Sequence, residues 1–263
     1  MRRTLALLAK DLREIRRSRG LLVSMAALPM TMVPLPIFLV WTFEHFPLGE
    51  AQNLLTTAYR DGLRSPFADP RMALVAVMVH HCISLFLVMP LFIPVLIAAQ
   101  SVAGEKERRT IEPLLASPLS GAEIVLGKSL AAVVPALGIT WVAFALFALG
   151  VNVTARPLFH RPILPDGPWL FAVLVLAPLL CFLGNTVTVL VSSRVSDSRL
   201  AQQISALLVV PFMALVVLQF TGLLFLGSWF YLWFGLGAAA LDAVLFGVAV
   251  RLFDRQRILS RWA

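Results

Sequence analysis

Few places in this 263-residue chain combine residue types at a spacing that could do chemistry. Gly127-Lys128-Ser129, with Gly121 upstream, looks at first like a phosphate loop, G-x-x-x-x-G-K-[ST]. That loop needs four residues between its glycines, so that backbone amides curl around a phosphate after a buried strand. Gly121 and Gly127 enclose five, and an apolar helical run follows, which argues against nucleotide binding by this chain. His80 and His81 are adjacent, and neighbours on a helix point about 100° apart. They therefore do not make the ligand face that histidines at i and i+4 would make. Cys82 and Cys181 each stand alone in an apolar run, with no disulfide partner or metal-ligand spacing. The scattered Ser, His and Asp residues converge on no nucleophile and base. No catalytic, cofactor-binding or metal-binding residue is expected.

Asp242 stands apart. Its carboxylate lies about nine residues inside the end of an apolar run, where a charge is costly unless paired or wetted. It is expected to border a polar cavity between helices and so to line a translocation path. Protonation, or pairing with an arginine of another helix, are the alternatives.

The densest polar stretch is 100–128, QSVAGEKERRTIEPLLASPLSGAEIVLGK, which carries charge of both signs and is still patterned like structure. Glu105 lies four residues before Arg109, the helical spacing at which opposite charges meet, so the preceding helix should run on past the membrane. Thr110 can cap a short helix whose Ile111, Leu114 and Leu115 share a face, with Pro113 tolerated in the first turn. Ser117-Pro118 stops it. Ser120 with Glu123 three residues on is a capping box before the apolar run from Ile124. The stretch reads as helix, short crossing helix, helix.

The elements that must hold this stretch are membrane spans. The chain is 59% hydrophobic and 14% charged, and its apolar runs reach bilayer-spanning length. The expected fold is an all-α integral membrane protein, a single transmembrane domain over 1–263. Six spans are expected at about 21–43, 72–99, 124–151, 168–191, 200–226 and 229–250, with a cytoplasmic loop at 100–123. Residues 2–19 precede them as a basic amphipathic helix at the membrane surface, with Leu5, Leu8, Leu12 and Ile15 at helical spacing. With seven Lys or Arg before any apolar run, no cleavable signal peptide is expected. Pro29, Pro34 and Pro36 should kink the first span, and the second, longer than a ~30 Å hydrocarbon core needs, must tilt, bend at Pro90 and Pro94, or protrude, of which protrusion fits the charged extension. Asp69-Pro70 supplies a cap and a first-turn proline for the second.

The net charge of +8 would suggest nucleic acid in a soluble protein. Here the basic residues flank apolar runs instead, so they report orientation and no nucleic-acid partner is expected. Seventeen Lys and Arg fall on the side of the two termini, the 100–128 loop and the 192–199 turn, against five on the other side. The positive-inside rule then places both termini and the charged loop in the cytoplasm.

This order of parts resembles the membrane subunit of ABC exporters of the type-2 permease family. That family often shows E-K-E-x-G-T-[LI]-E-x-L-L-x-x-P-[VLI]-S followed by I-x-x-G-K. The present GEKERRTIEPLLASPLSGAEIVLGK matches through Glu105, Glu107, Thr110, Glu112, Leu114, Leu115, Pro118, Ser120, Gly127 and Lys128, while Arg109 departs from the usual glycine. The turn SDSRLAQQISALLVVP and the tail RLFDRQRILSRW are similar too. The resemblance implies a permease that is no enzyme itself and a coupling helix at about 110–117 docking in a groove of a separate ATP-binding subunit. ATP and Mg would be bound by that partner. A second permease copy, the same or different, would complete a transporter in the cell membrane, in keeping with a bacterial plasma membrane. The rival class, a secondary transporter or channel working through Asp242, should show inverted repeats, and no such internal symmetry is present. A purified single chain is therefore expected to hydrolyse no ATP, and nucleotide-dependent turnover from it in a phosphate-release assay would refute the reading of its glycines.

Overall fold

The computed structural model describes residues 9, 12–13, 15–58, 67, 69–107, 121–195, 197–221, 223 and 226–252. Among them every regular element is helical. Helices α1 (Arg19–Met32) and α2 (Pro34–Glu44) form the first span, followed by α3 (Leu48–Ala58). Helices α4 (Pro70–Phe86) and α5 (Val88–Glu107) form the second, and α6 (Gly121–Thr154) the third. After the short α7 (Arg156–Phe159), α8 (Gly167–Phe171), a π turn at Ala172–Leu176 and α9 (Ala177–Arg194) form the fourth. Helices α10 (Ser198–Ala206) and α11 (Val209–Phe220) form the fifth, and α12 (Ser228–Leu252) the sixth. Six stretches are thus long and apolar enough to cross a bilayer. In the amino-terminal basic stretch the described positions are helical, with Ile15 buried, Leu12 packed on the core, and Arg13, Arg16 and Arg17 exposed.

Prolines set where the spans break. The first span parts at Val33, between Pro29 and the Pro34 that opens α2, with the Val33 amide still reaching the Pro29 carbonyl at 3.0 Å. The second parts at Leu87, three residues before Pro90, which has no N–H to offer the Phe86 carbonyl. Pro178 acts on the fourth span in the same way. In the π turn the Ala177 amide bonds back to Ala172, so the next amide in that pattern would have been residue 178 bonding to Val173. Pro178 cannot donate, and the Trp141 indole N–H from α6 takes the Val173 carbonyl instead, at 3.2 Å. A sequence break thus becomes a bond between spans three and four.

The second span is the axis of the bundle. In its most apolar window 89% of residues are buried, against 22%, 22% and 17% in spans one, five and six. Its α5 half packs most closely on α9. There Gly184 lies so near the Leu91 carbonyl that a Cβ would meet backbone. Trp169 fills the centre, its ring 4.9 Å from Phe147, 5.4 Å from Phe144 and 5.5 Å from Phe86, which joins spans two, three and four.

Caps fix the ends on the side away from the charged loop. Asp69 accepts from the Arg71 amide at 2.8 Å, and the Arg71 guanidinium holds the same carboxylate at 2.8 Å while reaching the Glu44 carbonyl at 3.3 Å. One arginine thereby ties the end of α2 to the start of α4, and its hydrogen bond to the Asp69 side chain holds that carboxyl below the usual range. Asn152 accepts from Ile163 and Leu164 at 2.9 and 3.0 Å and donates to the Leu164 carbonyl at 2.7 Å, folding the connection after α7 against α6. Gly184→Ala should drive α9 off α5 and cost about 1 to 3 kcal/mol. Gly138→Ala, in open space on α6, should leave the melting midpoint unchanged or raised. Thermal unfolding in detergent checks the pair, and an unchanged midpoint for Gly184→Ala contradicts the close approach.

Candidate functional site

The charged loop itself begins from a well-held stem. Helix α5 continues unbroken through Glu107, beyond the last apolar turn, as the charge spacing predicts, and α6 starts at Gly121 on the other side. Thr110, Ile111, Glu112, Leu114, Leu115 and Pro118 lie outside the described residues, as do the side chain of Glu105 and the predicted crossing helix. Glu107 is described, and its exposed carboxylate accepts from the Ser198 amide at 2.6 Å and from the Ser198 hydroxyl at 3.3 Å. Asp197 caps the same helix, accepting from the Arg199 and Leu200 amides at 2.7 and 3.1 Å. Two carboxylates thus sit at the amino end of α10, where free amides and the helix dipole favour negative charge.

Small residues make the contact close. Ala99 and Ala103 of α5 and Ala201 of α10 are fully buried against one another, so the stem of the first loop and the start of the fifth span pack as one unit. Glu107 matched the family motif in the sequence, but its partner lies 91 residues away and carried no local signal.

Lys128 and Ser129 sit within the continuous helix α6 and are buried. The Ser129 hydroxyl accepts from the Asn185 amide of α9 at 2.7 Å, so these residues belong to the packing of spans three and four.

Asp242 lies in the middle of α12, two helical turns beyond Gly235 and on the same face. Gly235 rests against Leu176 of the fourth span, so that face looks into the bundle. Both carboxylate oxygens of Asp242 are enclosed by protein, and neither has a hydrogen-bond partner among the described residues. Enclosure inside a span is the circumstance that makes an ionisable residue costly.

A second polar group gathers on spans two, five and six. The Ser84 and Tyr231 hydroxyls are 3.0 Å apart. His80 places Nε2 3.0 Å from the Leu226 carbonyl, while His81 turns Nδ1 to the Val77 carbonyl at 2.7 Å. The two imidazoles thus diverge, and among the described residues no three His, Cys, Asp or Glu side chains are grouped to hold a metal ion. Gln219 of α11 is wholly buried beside the Tyr231 hydroxyl, which can meet one end of its amide, and no other side-chain partner for that amide is found among the described residues. Sequence reading passed over Gln219 and Tyr231. The available signal was a lone amide inside the apolar run 209–220.

The sequence of residues 5–232 matches the family model described as ABC-2 family transporter protein. No curated protein matches the chain.

The carboxylate at the start of α10 gives a direct test of the stem. Glu107→Ala should speed amide exchange at Ser198 by about two- to fivefold, the range of a lost charge at a helix amino end, and leave exchange in α12 unaltered. Hydrogen–deuterium exchange read by mass spectrometry checks this, and unchanged protection of 198–200 contradicts the bond.

Proposed function

The chain belongs to the ABC-2 transporter family, which makes it a multi-pass membrane transport component that associates with an ATP-binding subunit, and from that premise we propose that it is the permease of an exporter driven through its first cytoplasmic loop. The short helix expected at about 110–117 would seat in a groove of the ATPase, with Ile111, Leu114 and Leu115 as its apolar face and Glu105, Glu107, Thr110, Glu112 and Pro118 shaping its ends. ATP and Mg belong to that partner. Two permeases, alike or different, would stand with two ATPases, and both termini would lie with the loop in the cytoplasm. Asp242 would border the translocation path once the bundle opens, since its face of α12 looks into the bundle and a lone carboxyl there is costly without such a role.

One observation carries the reading: the charged stem of the loop is hydrogen-bonded to, and packed on, the start of the fifth span. A push delivered between Glu107 and Gly121 enters α5 and, through Glu107, Ala99, Ala103 and Ala201, the start of α10. The loop is therefore connected to two spans at once, as a coupling element must be.

Leu114 and Leu115 test the proposal. If both bury in a partner groove, Leu114→Ala with Leu115→Ala should cost about 2 to 4 kcal/mol of docking, more than tenfold in association or in transport-linked hydrolysis, with protein level unchanged. Co-purification with the ATPase decides it. A well-expressed double variant that retains full ATPase binding and transport removes the coupling role from this segment.

A further inference from the structure

The wholly buried Gln219 amide is a cost that the fold alone does not explain. Natural interiors pair nearly all such groups, and an amide that one shared hydroxyl meets at a single end loses most of the hydrogen bonds it had in water. Gln219 lies beside Tyr231, whose hydroxyl meets Ser84 at 3.0 Å. Tyr231 is also shared with a cavity of about 350 Å³ between the starts of the fourth and sixth spans, lined by Gly167, Pro168, Phe171, Trp229, Tyr231 and Leu232. One tyrosine thus stands between an apolar cleft and a set of hydrogen-bonding groups. By chain parity both lie on the half of the bundle opposite the charged loop.

From this juxtaposition we infer that the cleft, with Tyr231, Ser84 and Gln219 behind it, is a binding site for an uncharged amphiphile that carries a hydroxyl or amide group. The volume and the apolar lining suit a hydrocarbon body, and few polar groups at one end are what fixes orientation in such sites. Among the described residues the polar end is neutral in kind: no Asp, Glu, Lys or Arg occurs among the cleft residues named or among Ser84, Gln219 and Tyr231. A charged head would be stripped of water there with no counter-charge. An amide or hydroxyl can give and take hydrogen bonds with Gln219, Tyr231 and Ser84 at once. Ser84 and Gln219 are buried and only Tyr231 of the three lines the cleft, so admitting the head group requires Tyr231 to turn. The assignment rests on the transport reading only for its purpose, since the binding itself needs no ATPase.

The test uses the full chain in lipid nanodiscs. Three photoreactive diazirine probes of equal tail length are compared, an alkyl glucoside, an alkyl trimethylammonium and an alkyl sulfate, and labelled peptides are mapped by mass spectrometry. The glucoside is expected to label 167–171 and 229–232 saturably, to be displaced by excess octyl glucoside, and to lose about tenfold in affinity in Gln219→Leu and in Tyr231→Phe, a loss of one to two hydrogen bonds. Gln219→Leu should keep or raise the melting midpoint, because it removes an amide whose hydrogen bonds are mostly unmet, so the lost labelling cannot be ascribed to unfolding. Equal saturable labelling by the charged probes overturns the proposal. So does saturable labelling that ignores Gln219 and Tyr231, or only unsaturable labelling of the kind bulk lipid gives. A lowered midpoint for Gln219→Leu makes the amide structural and also overturns it. Should the site label as expected while the leucine pair proves idle in ATPase binding, the coupling reading alone falls.

Discussion

Hydrocarbon offers no hydrogen bonds, so a backbone carbonyl freed inside a span must find another donor or weaken the fold. This chain places prolines in several of its spans and so meets the constraint repeatedly. The fourth span shows the general answer. Pro178 leaves the Val173 carbonyl without its amide, and the Trp141 indole of the neighbouring span supplies the missing donor. Further along, the turn that follows the fifth span leaves the Leu226 carbonyl outside any helix, and the His80 imidazole of the second span meets it. In both places the irregular backbone is tolerated because a side chain from another helix completes it, so helix shape and helix packing are one property here. The same logic gives the second span its central place, since it is flanked by most of the others and contributes His80, His81 and Ser84 to them.

The spans were legible because their signal is local. Long apolar runs, flanking arginines and the Asp69-Pro70 start are read within a few residues, and the described helices follow them closely. The kinks were legible for the same reason, since a proline lacks its N–H wherever it stands. The fifth span differed. Its apolar run extends to Leu226, but the helix ends at Phe220, and the Leu226 carbonyl is met by His80 of the second span, 146 residues away. Hydropathy contains no term for such a partner.

The polar sites divide along the same line. Asp242 was recognisable as costly from its position alone, and its unmet oxygens accord with that cost. Glu107 was recognisable as part of a motif, but its bond to Ser198 was not, because nothing near residue 107 names residue 198. Gln219 and Tyr231 were legible neither by motif nor by charge, since a glutamine and a tyrosine at the ends of apolar runs are unremarkable until folding sets them side by side. Residues whose role depends on a distant partner are the ones that single-sequence reading loses.

The pairing of Ser84 with Tyr231 across 147 positions has a consequence for how the protein is made. At ribosomal rates of about 5 to 20 residues per second, the second span leaves the exit tunnel roughly 7 to 30 s before the sixth. During that interval Ser84 lacks the Tyr231 hydroxyl and His80 the Leu226 carbonyl that meet them in the finished bundle. Nascent chains therefore pass through a stage at which a polar second span must be sheltered at the insertion site or remain only loosely committed to lipid, and completion of the last helix is the event that closes the bundle.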